Sequence, residues 1–292
     1  MFKTKLTIIL MIALTSLFYF NGCDEDTVDP LPVSDVESPT NVKVTLDAVL
    51  GGGGYATVTW NSSPDESSAD FRGYVVITDS VNINGNGLGR FDSAFVDKSA
   101  ADLYNVTDLV RGRLFKTLVY SVNTDNELSE AAQSVVYSGV YSGTGTIDEF
   151  STSTETQSAF GFDAATGLGT QYPYSSTNGN VIDIHVREEN GQLSFYSPGA
   201  VPTNPISPAR VTQFALLGQG GDAYNMAVEA YDDLTEPTSS TITIADENVY
   251  LIKTQDNIYV KIWVTEISGT NFSTVEFTYK LQPVADLKIL KR

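Results

Sequence analysis

Beyond residue 37 the chain shows almost no helical period. Apolar residues alternate with polar ones or come in short runs, and turn residues interrupt them about every 8–12 positions. This pattern predicts an all-β fold of antiparallel sandwiches or barrels. In the first half, strands are expected over 41–45, 55–60, 71–78 and 114–123, with a four-glycine turn at 51–54 and a Gly/Asn turn region at 82–89. In the second half they are expected over 157–163, 181–187, 192–196, 211–217, 241–245, 249–254, 258–267 and 274–282. Asp256-Asn257 is a tight-turn pair, so 249–267 reads as a hairpin. Val275, Phe277, Tyr279 and Leu281 alternate and give the last strand one buried face. Segments 172–179, 198–208 and 236–240 are loops rich in Pro, Ser, Thr and Gly, and the first two are long enough to build a binding surface. Segment 138–145 is rich in Gly and Ser and reads as a short joint between the two halves.

The N-terminus reads as an address. Lys3 and Lys5 precede an uncharged, mostly apolar run of fifteen residues, Leu6 to Phe20. That is short for a membrane span of ~20 residues and fits the core of a signal peptide. Asn21-Gly22-Cys23 follows and resembles a bacterial lipobox, in which the cysteine is lipidated and becomes the mature N-terminus. Gly22-Cys23 fits that pattern, whereas lipoboxes prefer Leu at the position of Phe20 and a small residue at that of Asn21. From Asp24 to Glu37 there are six acidic residues, no basic ones, and prolines at 30 and 32. Such a stretch cannot bury apolar area and reads as a solvated tether. It resembles the acidic export signal of surface lipoproteins of the Bacteroidetes, which implies an outer-membrane, cell-surface location. The expected organisation is a signal peptide (1–22), an acidic tether (23–37), a first β domain (38–138) and a second (139–292).

Composition removes several function classes. The chain has 292 residues, 17 Lys+Arg and 36 Asp+Glu, and removal of 1–22 leaves 15 − 36 = −21. Nucleic acid is not an expected partner of such a chain, because phosphate binding needs clustered Lys and Arg. One cysteine excludes an intramolecular disulfide and four-cysteine metal sites, and one histidine, His185, excludes a three-His centre. No Gly-x-Ser-x-Gly elbow, His-Glu-x-x-His pair, P-loop or twelve-residue calcium loop is present, so neither an enzyme nor a metal site is expected.

Two resemblances sharpen this picture. Pro39, Trp60, Gly73-Tyr74, Leu109-x-x-Gly112-x-x-Phe115, Val119-x-x-Val122-Asn123 and Ser129 together resemble a fibronectin type III domain. Family members usually carry Tyr at the position of Phe115, whose hydroxyl bonds back to the backbone, so here that corner is expected to be held by packing alone. The resemblance implies a spacer or a module that meets a protein partner, and no Arg-Gly-Asp triplet supports integrin adhesion. Phe160-x-Phe162-Asp163, Asp183-Ile184, the run from Val249 to Ile262 and Glu276-Phe-Thr-Tyr-Lys280 resemble the HmuY-like haemophore family, all-β surface lipoproteins.

That family implies haem, held by two axial His or Met side chains. After signal removal this chain offers His185 and Met226. Alternation puts His185 beside Asp183 and Arg187 on the polar face of its strand, and Met226 reads equally as a gap-filling core residue. A glycan is the second candidate ligand, because Tyr172, Tyr174 and Tyr196 lie in or beside the long loops, where aromatic faces stack on sugars. Thr27, Ser80 and Ser93 stand in Asp-Ser/Thr-apolar triplets that resemble the Bacteroidetes O-glycosylation signal. The expected function is non-catalytic capture of haem or another small ligand by a protein lipid-anchored at Cys23. The alternatives are a glycan-binding accessory lipoprotein of a polysaccharide-uptake system and a structural or adhesive scaffold.

Overall fold

The structure, a computed structural model, describes residues 35–48, 54–82, 84–152, 156–203, 205–227, 236–269 and 272–287. The chain divides into Met1–Val33 and Ser34–Arg292, and all described residues belong to the second unit. Cys23, Thr27, the signal peptide and all but the end of the tether lie outside the described residues.

The first eight strands are β1 (Thr40–Ala48), β2 (Gly54–Asn61), β3 (Phe71–Val81), β4 (Gly87–Asp97), β5 (Leu103–Leu109), β6 (Leu114–Asn123), β7 (Ala132–Gln133) and β8 (Tyr137–Ser138). A three-stranded sheet, β1-β2-β5, lies with the sheet β4-β3-β6-β7, and β8 also pairs with β6. Three strands on four is the immunoglobulin-like sandwich architecture that fibronectin type III modules share. Its core is aromatic: Tyr74 meets Trp60 and Phe71 edge-on, with centroids 5.3 and 5.2 Å apart. Phe115 is fully buried 4.7 Å from Phe91 and is held by packing. The hydroxyl that Phe115 lacks is found one strand over, where Tyr137, Thr117 and Thr78 form a buried hydroxyl chain with links of 2.7 and 2.9 Å.

The second set of strands is β9 (Tyr141–Asp148), β10 (Ala159–Phe162), β11 (Gly169–Tyr172), β12 (Ile184–Glu189), β13 (Gln192–Tyr196), β14 (Gln213–Gln219), β15 (Thr241–Thr243), β16 (Asn248–Lys253), β17 (Tyr259–Ser268) and β18 (Thr274–Gln282). A short helix, α1 (Gly220–Tyr224), follows β14. The strands form two five-stranded sheets, β11-β10-β12-β13-β15 and β14-β16-β17-β18-β9, and every pairing is antiparallel. Phe160, Phe195, Phe214, Tyr250, Phe277 and Tyr279 fill the space between them.

The β14-β16-β17-β18-β9 sheet is buried on both faces. Tyr250 and Ile252 point into the second core, while Val249 and Leu251 join the core of the first sandwich, together with Tyr259, Leu217 and Tyr224. This explains the unbroken run Val249-Tyr-Leu-Ile252, since a strand covered on both sides has no polar face to alternate with. The two sandwiches therefore share a contiguous core, and a hydrogen bond from Ser142 Oγ to the Ala48 carbonyl (3.2 Å) crosses between them.

Segment 138–145 is not a joint. Most of it is β9, paired along its length with β18. Its glycines serve close approach: a Cβ on Gly145 would lie 2.3 Å from the Phe277 ring, and one on Gly143 would lie 2.4 Å from the Tyr279 hydroxyl. The region 82–89 holds the expected turn in its first part, closed by amide bonds from Asn82 to the Asn86 carbonyl and from Gly85 to the Asn82 carbonyl (both 2.9 Å), whereas its end is strand, because β4 begins at Gly87 and runs eleven residues beside β3.

Candidate functional site

The outer face of the β11-β10-β12-β13-β15 sheet carries most of the side chains singled out in the second half. Tyr172, Ala159, His185 and Tyr196 are successive register partners across four strands, so they project from one face. Ile184 and Val186 take the opposite face, into the core. Alternation therefore predicts the side of His185 correctly and its surroundings incorrectly. His185 is fully buried, because the loops at 150 and 172–179 fold over it. Tyr174 stacks on the imidazole at 3.9 Å, and Phe150 meets it edge-on at 5.3 Å. Nδ1–H donates to the Ser158 carbonyl at 2.9 Å, which fixes the tautomer, and Nε2 has no partner. Burial pushes the imidazole pKa down to about 3, against the pull of the Ser158 bond.

Met226 lies elsewhere. It is half-buried just past α1, whose Tyr224 packs 5.7 Å from Trp263 on the face of the other sheet that meets the first sandwich. Two sheets and the second core stand between His185 and Met226. The structure does not bring them together as an axial pair.

The two long loops do meet. A Cβ on Gly179 would fall 1.9 Å from the Pro208 carbonyl oxygen, and the Tyr174 hydroxyl donates to the Pro198 carbonyl at 3.3 Å. The tyrosines nonetheless serve different clefts. Tyr174 lines an open depression of about 560 Å³ with Phe150, Ser175 and Ile206. Tyr172 lines a cleft of about 470 Å³ with Asp163, Leu168, Asn180, Arg210 and Asp256. Tyr196 is buried, and its hydroxyl donates to Glu189 at 3.0 Å, so its ring is not offered to a ligand.

The floor of the Tyr172 cleft rests on an ion-pair chain that no spacing in the sequence reveals. Asp183 is 1 % exposed. One of its oxygens accepts from Arg210 Nε (2.8 Å) and the other from the Phe162 amide (2.8 Å). Arg210 reaches on to Asp256 in the β16–β17 turn, where Asn257 takes the left-handed conformation at φ +58°. Burial raises the Asp183 pKa to about 6, with Arg210 acting in the opposite direction. Bonds to both carboxylates hold the guanidinium in place where Arg210 lines the cleft. The clue in the sequence was only Arg210 itself, a cation ending a long loop in an acidic chain.

Among the modification candidates, Ser93 is exposed on β4, but Ser80 is 4 % exposed inside β3. The folded chain does not offer Ser80 to a glycosyltransferase. Among the described residues no group of three or more His, Cys, Asp or Glu side chains could hold a metal ion, and no helix is long and apolar enough to cross a membrane.

No family model and no curated protein matches this chain. Among solved structures, a chain described as a myokine structure aligns at 18% identity over 36% of this chain and 98% of its own, with a TM-score of 0.26. The twitchin kinase region from C. elegans aligns at 7% identity over 85% of this chain and 40% of its own, with a TM-score of 0.28. Similarity at this level identifies no relative. The four antiparallel sheets define the class: an all-β protein built from two sandwiches with a shared core.

Proposed function

We propose that this chain is a non-catalytic binding protein of the cell surface, lipid-anchored at Cys23 and spaced from the membrane by the acidic tether. In this reading, residues 38–138 form a fibronectin type III module. Residues 139–292 form an HmuY-like β domain of the Bacteroidetes type, which captures a small polar ligand in the Tyr172 cleft. The observation that carries the proposal is the fixed guanidinium of Arg210 at the floor of that cleft, beside an aromatic wall. A planar donor held in place and a ring face suit a saccharide, with the ring stacking on a sugar face and the guanidinium bonding its hydroxyls. Haem is disfavoured within the same reading, because His185 is sealed under Tyr174 and Met226 lies across the core. Capture without turnover is favoured because both oxygens of Asp183, the carboxylate whose pKa burial raises, are occupied. The test is a glycan array probed with the wild-type protein and with Tyr172→Ala. Loss of a stacking partner is expected to weaken a retained glycan about tenfold, near 1.4 kcal/mol. Retention unchanged in Tyr172→Ala removes the cleft from the account.

A further inference from the structure

On the sheet face that meets the first sandwich, Lys261 of β17 and Lys280 of β18 are register partners, and each is 3 % exposed. Lys280 is the more closely contacted. Its Nζ donates to the Leu46 carbonyl of β1 at 2.9 Å and to Asn225 Oδ1 at 2.9 Å. Asp47 Oδ2 stands 4.0 Å away, and the Tyr224 ring lies 4.7 Å below. A primary amine buried over an aromatic ring thus meets a carboxamide and a carboxylate that reach it from the exposed rim. Burial lowers the Lys280 pKa, with Asp47 acting in the opposite direction, and this favours the neutral, nucleophilic amine.

We propose that Lys280 and Asn225 join in an intramolecular isopeptide bond, formed spontaneously once the two sandwiches have packed. The Nζ lone pair attacks Cγ of Asn225, to whose oxygen it is already hydrogen-bonded. The new C–N bond forms, and the Cγ–Nδ2 bond breaks. Asp47 accepts the Nζ proton and returns it to Nδ2, which leaves as ammonia. Amine and amide become a secondary amide plus ammonia, with no change of oxidation state and no co-reactant. Holding the amine against the carbonyl supplies the proximity such a reaction needs. The product would tie the end of α1 to β18, a cross-link that a chain with one cysteine cannot make as a disulfide.

The test is tryptic mapping of the folded full-length chain by mass spectrometry. The expected product is a branched peptide in which 211–253 is joined to 262–288, uncut after Lys280 and lighter than the two parts by one ammonia. Lys280→Arg and Asn225→Ala are each expected to abolish it, and Asp47→Ala to slow its appearance at least tenfold. Linear peptides alone from the folded wild-type chain would overturn the proposal. So would an ammonia loss that persists in Lys280→Arg, since it would then arise from cyclisation of an asparagine on its own backbone.

Discussion

Replacing Lys261 by methionine should stabilise the protein at neutral pH and flatten its pH dependence. Lys261 is buried on the face shared by the two sandwiches, and its Nζ has the Tyr224 carbonyl at 3.5 Å. Burial first, and the neighbouring Lys280 second, bring its pKa from 10.5 down to about 7. The folded state then binds fewer protons than the unfolded state between those values. Stability therefore rises with pH across the window, and the full cost of the buried lysine is felt below about pH 7. At about 1.36 kcal/mol per pH unit, the full cost is about 5 kcal/mol. Roughly 2 kcal/mol of it is relieved between pH 7 and pH 9. Above that, buried tyrosines such as Tyr137, raised to about 12 by burial, reverse the slope, so pH 9 is the upper limit of the comparison. Methionine keeps the length of the side chain and removes the charge. Urea unfolding of both proteins at pH 7 and pH 9 reads the effect directly. The wild type should gain about 2 kcal/mol between the two, and the variant should exceed the wild type by about 4 kcal/mol at pH 7 and by about 2 kcal/mol at pH 9. A wild-type stability that is equal at both pH values, or a variant that keeps the wild-type slope, would refute the reasoning.

Further outcomes follow from other sites. Gly145→Ala forces a methyl group against Phe277 and Phe160 and should cost about 1–3 kcal/mol in unfolding experiments. Gly87→Ala, with nothing within 4 Å of its added Cβ, should be near neutral in the same assay. Affinity for a retained glycan should fall as pH drops through about 6, because Asp183 then takes up a proton and releases Arg210; equal affinity at pH 7 and pH 5 would argue against a role for that pair. Cys23→Ser should move the protein from the membrane fraction to the soluble one, and retention in the membrane fraction would remove the anchor from the account.

Alternation carried most of the strand pattern and little of the environment around each strand. Val275, Phe277, Tyr279 and Leu281 face the second core as their spacing predicts. The alternate positions include Lys280 and, just past Leu281, Gln282, which are buried too, because another sandwich covers that face. His185 shows the same limit. Its side of the strand follows from period two, but the cover supplied by Tyr174 and Phe150 comes from segments with no period to read. Gly143 and Gly145 misled for a related reason. In sequence a glycine signals a turn, whereas here the missing side chain makes room for an aromatic ring on the neighbouring strand. The Asp183–Arg210–Asp256 chain joins three separate segments and left no local signature, so only the folded chain displays it.

The central claim is that the Tyr172 cleft is the capture site. It is tested most directly by titrating wild type, Tyr172→Ala and Tyr174→Ala with the strongest glycan retained on an array, with haemin as a parallel titrant. The account predicts saturable glycan binding that Tyr172→Ala weakens about tenfold and Tyr174→Ala leaves intact, with no saturating Soret band from haemin. Glycan binding indifferent to Tyr172, or a sharp one-equivalent Soret band lost in His185→Ala, would contradict it.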